Sequence, residues 1–419
     1  MEILIAFAAT LLLAVLVSGM AQRSVLSAAV LFLIIGFVVG RGVFHVAPFE
    51  PNNPLVYWLA TATLYSVLFT DGMRVGVSDL ISTWRLPGRA LLLGFPLTLA
   101  GNTILARFLV GLPWNEAILL GAVLTPTDPV FAAAIVGSEH VPSRVRFLLN
   151  VESGLNDGLA LPIVVVMLDR IRATPVEPGT IAVKLILGIV LGIGVTWLVL
   201  RLERFQFFSP ASSFEPYNAF ALGLLVFGLA SIIGANLFLA AFVAGITVAS
   251  VNQQVRNAFS RFGDFVTELL KLFTLLLFGA LISPTTVATR ITPRGFLFGF
   301  LAILVVRPVV MVVALLGSRI GWEERLVSGW FGPKGFSSLV YGILMLNTGV
   351  PQGPRLFHLV AIAVAVSIVI NSSTDVLAVR WLQRFGQQID TAEQEREEKD
   401  EGEQKDEEQT PGDAPGPSP

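Results

Sequence analysis

The sequence predicts an all-α membrane protein, and three observations carry this prediction. Of the 419 residues, 54% are hydrophobic and only 14% are charged, whereas soluble domains carry roughly 25% charged residues. Apolar windows long enough to cross the ~30 Å hydrocarbon core of a bilayer recur from one end of the chain to the other. Two of these windows are interrupted by prolines and glycines beside charged residues, a pattern typical of helices that break inside a membrane protein.

The apolar windows predict about thirteen membrane-spanning helices. They cover residues 2–18, 24–40, 55–70, 89–109, 114–137, 147–168, 180–200, 217–233, 236–250, 264–282, 295–318, 326–347 and 356–381. No basic segment precedes the first window, so we interpret it as a retained helix rather than a cleaved signal peptide. When the C-terminus is placed inside, the inner loops carry about twice as many arginines as the outer loops. We therefore expect a plasma (inner) membrane protein with its N-terminus outside and its C-terminus in the cytoplasm.

Composition divides the chain into two parts. Residues 1–388 form the predicted transmembrane domain, and residues 389–419 form an acidic tail rich in Glu, Gln, Pro and Gly without an aromatic residue. Such a tail buries too little apolar surface to fold, so we expect it to be disordered in the cytoplasm, either solvated and functionally neutral or bound to a regulator. The absence of cysteine and the scattering of the three histidines argue against a thiolate or zinc site. We expect no cofactor and no nucleic-acid partner.

The two interrupted windows occupy corresponding places in the two halves of the chain. In the fifth window, Pro126 and Pro129 flank Asp128; in the twelfth, Gly332, Pro333 and Lys334 stand in succession. Interrupted segments at matching places point to the site of a transporter. Hydropathy thus predicts two inverted-topology six-helix repeats, with discontinuous helices 5 and 12 crossing near an ion site and the seventh window as the linker.

The most informative polar cluster lies in the sixth window, where Glu152, Ser153, Asn156 and Asp157 follow one another within two helical turns. Positions i and i+4 share a helix face, so Glu152 stacks with Asn156 and Ser153 with Asp157. An ionisable group as deep as Asp157 is a candidate for function. The alternative interpretation is a neutral, hydrogen-bonded acid that helps helices to pack.

Arg307 lies in the middle of an apolar run, about twelve residues from either end of its window. Because arginine stays charged, it needs an acidic partner there, and Glu152 is the candidate that leaves Asp157 free to titrate. The alternative is an arginine that reaches to the membrane interface.

Three further residues have weaker signals. Thr127 can offer its hydroxyl and a carbonyl freed by the helix break, both hard-cation ligands. Asp128 either caps the half-helix that follows it or contacts the ion. Lys334 either lines the inner funnel or neutralises the end of a half-helix dipole.

Two residue pairs have a simple local interpretation. Glu268 and Lys271 stand at i and i+3, where a salt bridge is the simplest prediction. Asp71 is expected to pair locally near the inner end of the third window.

Thr127-Asp128-Pro129, followed by Glu152 to Gly158, resembles the sodium/proton exchanger family, in particular its prokaryotic NhaP-like branch. The resemblance covers about residues 1–385. It implies that Asp157 binds Na⁺ and H⁺ alternately, with Ser153 and Thr127 in the coordination. It also implies that Glu152 and Arg307 form a buried pair that holds Asn156. It further implies a homodimer of thirteen-span protomers, each with a dimerisation domain and a moving core.

Together these features predict a secondary transporter, not an enzyme, that exchanges Na⁺ or Li⁺ for H⁺ by alternating access and serves pH homeostasis. Burial raises the pKa of a carboxylate and a bound cation lowers it, so the two substrates displace each other at one carboxylate. A neutral Asn156 and a permanently charged Arg307 leave one titrating group, which predicts electroneutral exchange. The alternatives are a K⁺/H⁺ or broad monovalent-cation antiporter and, from another class, a gated cation channel or a membrane sensor that signals through the tail.

Overall fold

The computed structural model describes residues 2–21, 28–44, 50, 53–75, 85–128, 141–172, 177–203, 215–318, 320–371 and 373–374. These residues contain helices and irregular connections, with no strand among them. The predicted acidic tail, the half-helix after Pro129 and the end of the last window lie outside the described residues.

We number the helices in chain order. The first eight are α1 (Glu2–Ala21), α2 (Ala28–Phe37), α3 (Pro54–Arg74), α4 (Leu86–Val110), α5 (Trp114–Val123), α6 (Ser143–Ile171), α7 (Pro178–Leu202) and α8 (Glu215–Ile233). The others are α9 (Leu237–Val251), α10 (Gln253–Leu281), α11 (Pro284–Arg290), α12 (Pro293–Ala314), α13 (Trp322–Trp330), α14 (Phe336–Asn347) and α15 (Gly353–Asn371). A π-helical turn, Val38–Gly42, extends α2, and π-helical turns also interrupt α4 and α12.

Every predicted window overlaps at least one described helix. Five helices, α4, α6, α7, α12 and α15, are individually long and apolar enough to cross a membrane, and two bent pairs pass the same test together. The number of thirteen crossings and the inverted repeat stay predictions.

One helix begins well before its predicted window. Residues 251–263 separate the ninth and tenth windows, yet α10 begins at Gln253 and runs for 29 residues. Its first turns alternate polar residues with a buried stripe that includes Val255 and Phe259. A hydropathy average over this amphipathic stretch is low, although a single apolar face is enough to pack the helix.

The helices pack in two groups. The first helix group comprises α1–α3 and α7–α10, and the second comprises α4–α6 and α12–α15; contacts between them run mainly from α3, α9 and α10 to α6 and α14. Within the first group, α3 and α9 approach until Gly72 has no room for a Cβ against the carbonyl of Phe242, and Gly245 none against that of Phe69. Small residues that allow such backbone approach are typical of membrane helix interfaces. Between the groups, the atoms nearest to a Cβ on Gly158 would be those of the Phe242 ring.

Candidate cation site at two interrupted helices

The first interruption begins where α5 ends at Val123, because Pro126 has no backbone N–H to continue the helix. Side chains satisfy part of the released backbone: the Thr125 hydroxyl donates to Gly121 O at 2.7 Å, and Asn102 Nδ2 donates to Leu124 O at 3.4 Å. The backbone of residues 124–128 therefore stays non-helical at the depth of the surrounding helices.

The second interruption separates α13 from α14 by residues 331–335. It lies directly against the first: Asp128 N donates to Pro333 O at 3.0 Å, and the Ser338 hydroxyl donates to Val123 O at 2.7 Å. A Cβ on Gly335 would lie 2.5 Å from that of Asp128, so this contact requires glycine. The structure thus brings the two predicted breaks together.

Asp157 is the middle residue of the 29-residue α6 and is 3% exposed. Its Oδ2 accepts a hydrogen bond of 2.5 Å from the Ser337 hydroxyl at the start of α14. Its buried Oδ1 accepts no hydrogen bond from any residue that the structure describes. A buried carboxylate oxygen without a donor is costly, and a proton or a cation would satisfy it.

Thr127 is tied to α6 by two side chains. The Ser153 hydroxyl donates to Thr127 O at 2.5 Å, and the Asn156 amide both donates to Thr127 Oγ1 at 2.8 Å and accepts from Thr127 N at 3.4 Å. The structure thus brings Thr127 into contact with Ser153 and Asn156, which lie on α6 within about one turn of Asp157. The Asn156 amide contacts Thr127 here, rather than the Glu152–Arg307 pair that the resemblance implied.

Glu152 and Arg307 form a buried bidentate ion pair. The Arg307 guanidinium donates to the two carboxylate oxygens at 2.8 and 3.1 Å, and also to Phe331 O at 3.4 Å. The side chains are only 6% and 4% exposed. Arg307 therefore lies in the protein interior and does not reach a membrane interface.

Asp128 pairs with Lys271 of α10, whose Nζ lies 3.4 Å from Asp128 Oδ2. The same oxygen accepts from the backbone N–H of Phe336 at 3.4 Å, so Asp128 caps the start of α14. Its predicted role as a cap of its own half-helix concerns residues outside the described ones. The predicted Glu268–Lys271 bridge is wrong, because the ion pair of Lys271 is made with a residue far away in the sequence.

Lys334 is completely buried. Its Nζ lies 3.5 Å from Thr125 O, beyond the carboxyl end of α5, and its backbone N–H donates to Ser367 Oγ at 2.8 Å. Of its two predicted positions, this geometry fits the neutralisation of a half-helix dipole.

Three contacts of the site had no specific sequence signal. Ser337 binds Asp157, Tyr341 OH approaches Asp157 O at 3.5 Å, and Lys271 reaches Asp128. Ser337 stands in the recognised second break, which was the available signal for it. Asp71 pairs locally with Arg74 at 3.2 Å, as predicted.

The chemistry of this arrangement follows from its donor types. A carboxylate, a hydroxyl and a carbonyl freed from a helix are oxygen ligands of the kind that hard cations prefer. Interrupted helices around such a group, within a bundle of long apolar helices, define a multi-pass membrane protein of the secondary-transporter class. The transmembrane sodium/hydrogen exchanger family matches residues 8–381, and the chain belongs to this family.

Two curated proteins similar to the chain carry NhaP names. The K(+)/H(+) antiporter NhaP2 of Shewanella baltica (strain OS223) is 24% identical over 375 residues, which cover 87% of this chain and 64% of that protein. The K(+)/H(+) antiporter NhaP of Alkalimonas amylolytica is 26% identical over 358 residues, covering 84% and 62%. The chain therefore spans less than two thirds of the length of these relatives.

A solved structure shows the same fold. The sodium proton antiporter MjNhaP1 from Methanocaldococcus jannaschii superposes with a TM-score of 0.74 at 18% identity, covering 91% of this chain and all of that one.

Proposed function

We propose that the protein exchanges a monovalent cation for a proton across the membrane, with Asp157 binding the two in turn. The observation that carries the proposal is the buried Asp157 Oδ1, which has no hydrogen-bond donor among the described residues. Asp157 lies midway along a membrane-length helix and follows Asn156, which contacts the non-helical Thr127. Ser153 and the carbonyl and hydroxyl of Thr127 complete the proposed ligand set, with Asn156 holding Thr127 in place.

The surrounding charges support exchange of one proton per cation. Arg307 engages both oxygens of Glu152, and Asn156 is neutral. Asp128 is paired with Lys271 and caps α14. Asp71, the other buried carboxylate near Asp157, is paired with Arg74. These partners leave Asp157 as the carboxylate proposed to alternate between proton and cation, so the proposed cycle moves no net charge.

The proposed cation is Na⁺ or Li⁺, and K⁺ is the second candidate. The names of the two NhaP relatives favour K⁺, whereas the name of the solved structure favours Na⁺. Selectivity depends on cavity size and on the rigidity of the ligands, so it is decided by comparing the cations directly.

The proposal also covers the location of the protein in the cell and its oligomeric state. We place the protein in the plasma membrane as a homodimer, with the C-terminus in the cytoplasm and a role in pH homeostasis. A gated channel or a sensor that signals through the tail is the alternative class. Obligatory coupling distinguishes an exchanger from both, because a channel passes its ion without moving a proton in return.

Purified protein in liposomes with a trapped pH-sensitive dye tests the function. Addition of Na⁺, Li⁺ or K⁺ outside acid-loaded vesicles should alkalinise the lumen. Asp157→Asn should abolish the alkalinisation. Asp264→Asn, at an exposed carboxylate of α10, should leave the alkalinisation unchanged. Exchange that survives Asp157→Asn would contradict the assignment, and cation entry without proton movement would indicate a channel.

A further inference from the structure

Lys271 contacts the candidate site across the interface between the two helix groups. The second helix group carries Asp157 on α6 and Ser337 on α14, and Thr127 and Asp128 lie on the segment that follows α5. Lys271 lies on α10 of the first group. Any displacement of one group relative to the other must therefore change the distance between Lys271 and Asp128.

The Lys271 ammonium is held from several sides. It lies 3.4 Å from Asp128 Oδ2 and 5.0 Å from the centre of the Phe336 ring. Asp71 and Glu268, both of the first helix group, add negative charge near it. Lys271 and Asp128 are only 3% and 5% exposed, so solvent and salt screen their attraction little.

We propose that Lys271 is a positioning residue that holds the two helix groups together while Asp157 is empty and lets them move when Asp157 carries a cation or a proton. This inference rests on the proposed exchange function. A cation bound by Asp157, Ser153 and Thr127 would lie close to Asp128, because Thr127 and Asp128 are adjacent residues. Its positive charge would repel the Lys271 ammonium and weaken the ion pair across the boundary, because like charges in a poorly screened site interact strongly.

The Lys271–Asp128 ion pair would meet one requirement of coupled exchange, namely that the helix groups do not move while the site is empty. If the helix groups moved with an empty site, cations and protons would each cross without the other and both gradients would leak. Lys271 restrains that movement because an empty site retains its full negative charge. Residue-level changes of this kind alter coupling between sites by roughly two- to thirtyfold.

The first experiment measures leak. Liposomes with choline as the only monovalent cation and a permeant anion for charge balance receive a pH gradient, whose decay is recorded. Lys271→Met should speed the decay roughly two- to thirtyfold, and Lys271→Arg should restore the wild-type rate. The matched control is Lys184→Met, at an exposed lysine of α7. The double variant Lys271→Met/Asp128→Asn also removes the carboxylate charge that Lys271 neutralises in the wild type, and it should leak in the same way if Lys271→Met alone fails to fold.

The second experiment does not depend on transport. Because the chain contains no cysteine, Phe108→Cys on α4 and Ile232→Cys on α8 place two spin labels on different helix groups, at side chains 73% and 84% exposed. Pulsed electron paramagnetic resonance should show one dominant distance without cation and a second with Na⁺. The Lys271→Met background should show the second distance without cation, and the Lys184→Met background should match wild type.

The outcomes separate the two proposals. If wild type exchanges cations for protons while Lys271→Met matches Lys184→Met in leak and label distance, the Lys271 inference is overturned and the function stands. If wild type neither moves protons on cation addition nor changes its label distance, the proposed function fails and the inference with it.

Discussion

At the residue scale, the clearest interaction is the ion pair between Glu152 and Arg307. Removing two charges from water costs several kcal/mol for each ion, and only their mutual contact offsets this cost. The bidentate geometry, at 2.8 and 3.1 Å, provides that contact. Each member therefore depends on the other for its place in the interior.

Arg307→Ala should lower the free energy of unfolding by about 3–5 kcal/mol, because it leaves the Glu152 carboxylate buried and unpaired. Combining Arg307→Met with Glu152→Gln should recover most of this loss. Thermal unfolding in detergent measures both effects. Arg294→Ala, at an exposed arginine of the same helix, is the matched control and should change the stability by no more than about 0.5 kcal/mol. If the losses of stability in Arg307→Met alone and Glu152→Gln alone simply add up in the combined variant, Glu152 and Arg307 act independently.

Ser337→Ala should weaken cation binding at constant pH. The Ser337 hydroxyl donates to Asp157, and a hydrogen bond to a charged group contributes about 1.5–3 kcal/mol. We expect the cation concentration for half-maximal exchange to rise by roughly tenfold or more. Ser337→Thr keeps the hydroxyl and should stay close to wild type. An unchanged half-maximal concentration in Ser337→Ala would exclude a role for this hydroxyl.

Residue contacts were predictable where the physics demanded a partner. Arg307 in an apolar window requires an acid, and the structure supplies Glu152. Lys271 had an acid three residues away, so the local pair looked sufficient, yet its contact is with Asp128. The second break indicated the region of Ser337 but not its partner, because serine hydroxyls in membrane helices commonly bond to their own backbone and the sequence does not show which helix they face.

At the scale of elements, close helix approach distinguishes the interior of the first helix group from its boundary. Gly72 and Gly245 leave backbone against backbone between α3 and α9, which no larger residue can enter without moving a helix. A contact with a side chain, such as that between Gly158 and the Phe242 ring, can adjust by rotation of the ring.

Gly245→Val should destabilise the protein by about 1–3 kcal/mol or more, because the added atoms meet the backbone of α3. Gly194→Val on α7 is the control, since a Cβ there meets nothing within 4 Å. Thermal unfolding in detergent compares the two variants. Equal stability would mean that α3 and α9 do not need their close approach.

Hydropathy windows predicted the positions of helices that are apolar on all sides. The windows located the breaks that separate α13 from α14 and that end α5, because proline and glycine act through the backbone itself. The first turns of α10 escaped prediction because their single buried stripe is averaged with exposed polar residues.

At the scale of the whole molecule, the proposed cycle carries one positive charge in each direction. Exchange should therefore proceed at the same rate with no membrane potential and with about 100 mV, a potential worth about 2.3 kcal/mol for each charge moved. Proteoliposomes with the potential set by a lipophilic anion, and verified with a voltage-sensitive dye, provide the measurement. A rate that follows the potential at constant ion gradients would contradict a one-for-one exchange.

The π-helical turn Ala302–Val306 ends immediately before Arg307. Such a turn accommodates one more residue than an α-helical turn and is frequent at functional sites. It acts as a one-residue insertion that leaves the helix on either side in register. A relative without it would carry the equivalent arginine one position earlier in the chain yet at the same place in space. A comparison with a relative that lacks this turn therefore needs a single-residue gap before Arg307, and an alignment without the gap would set Val306 against that relative's arginine.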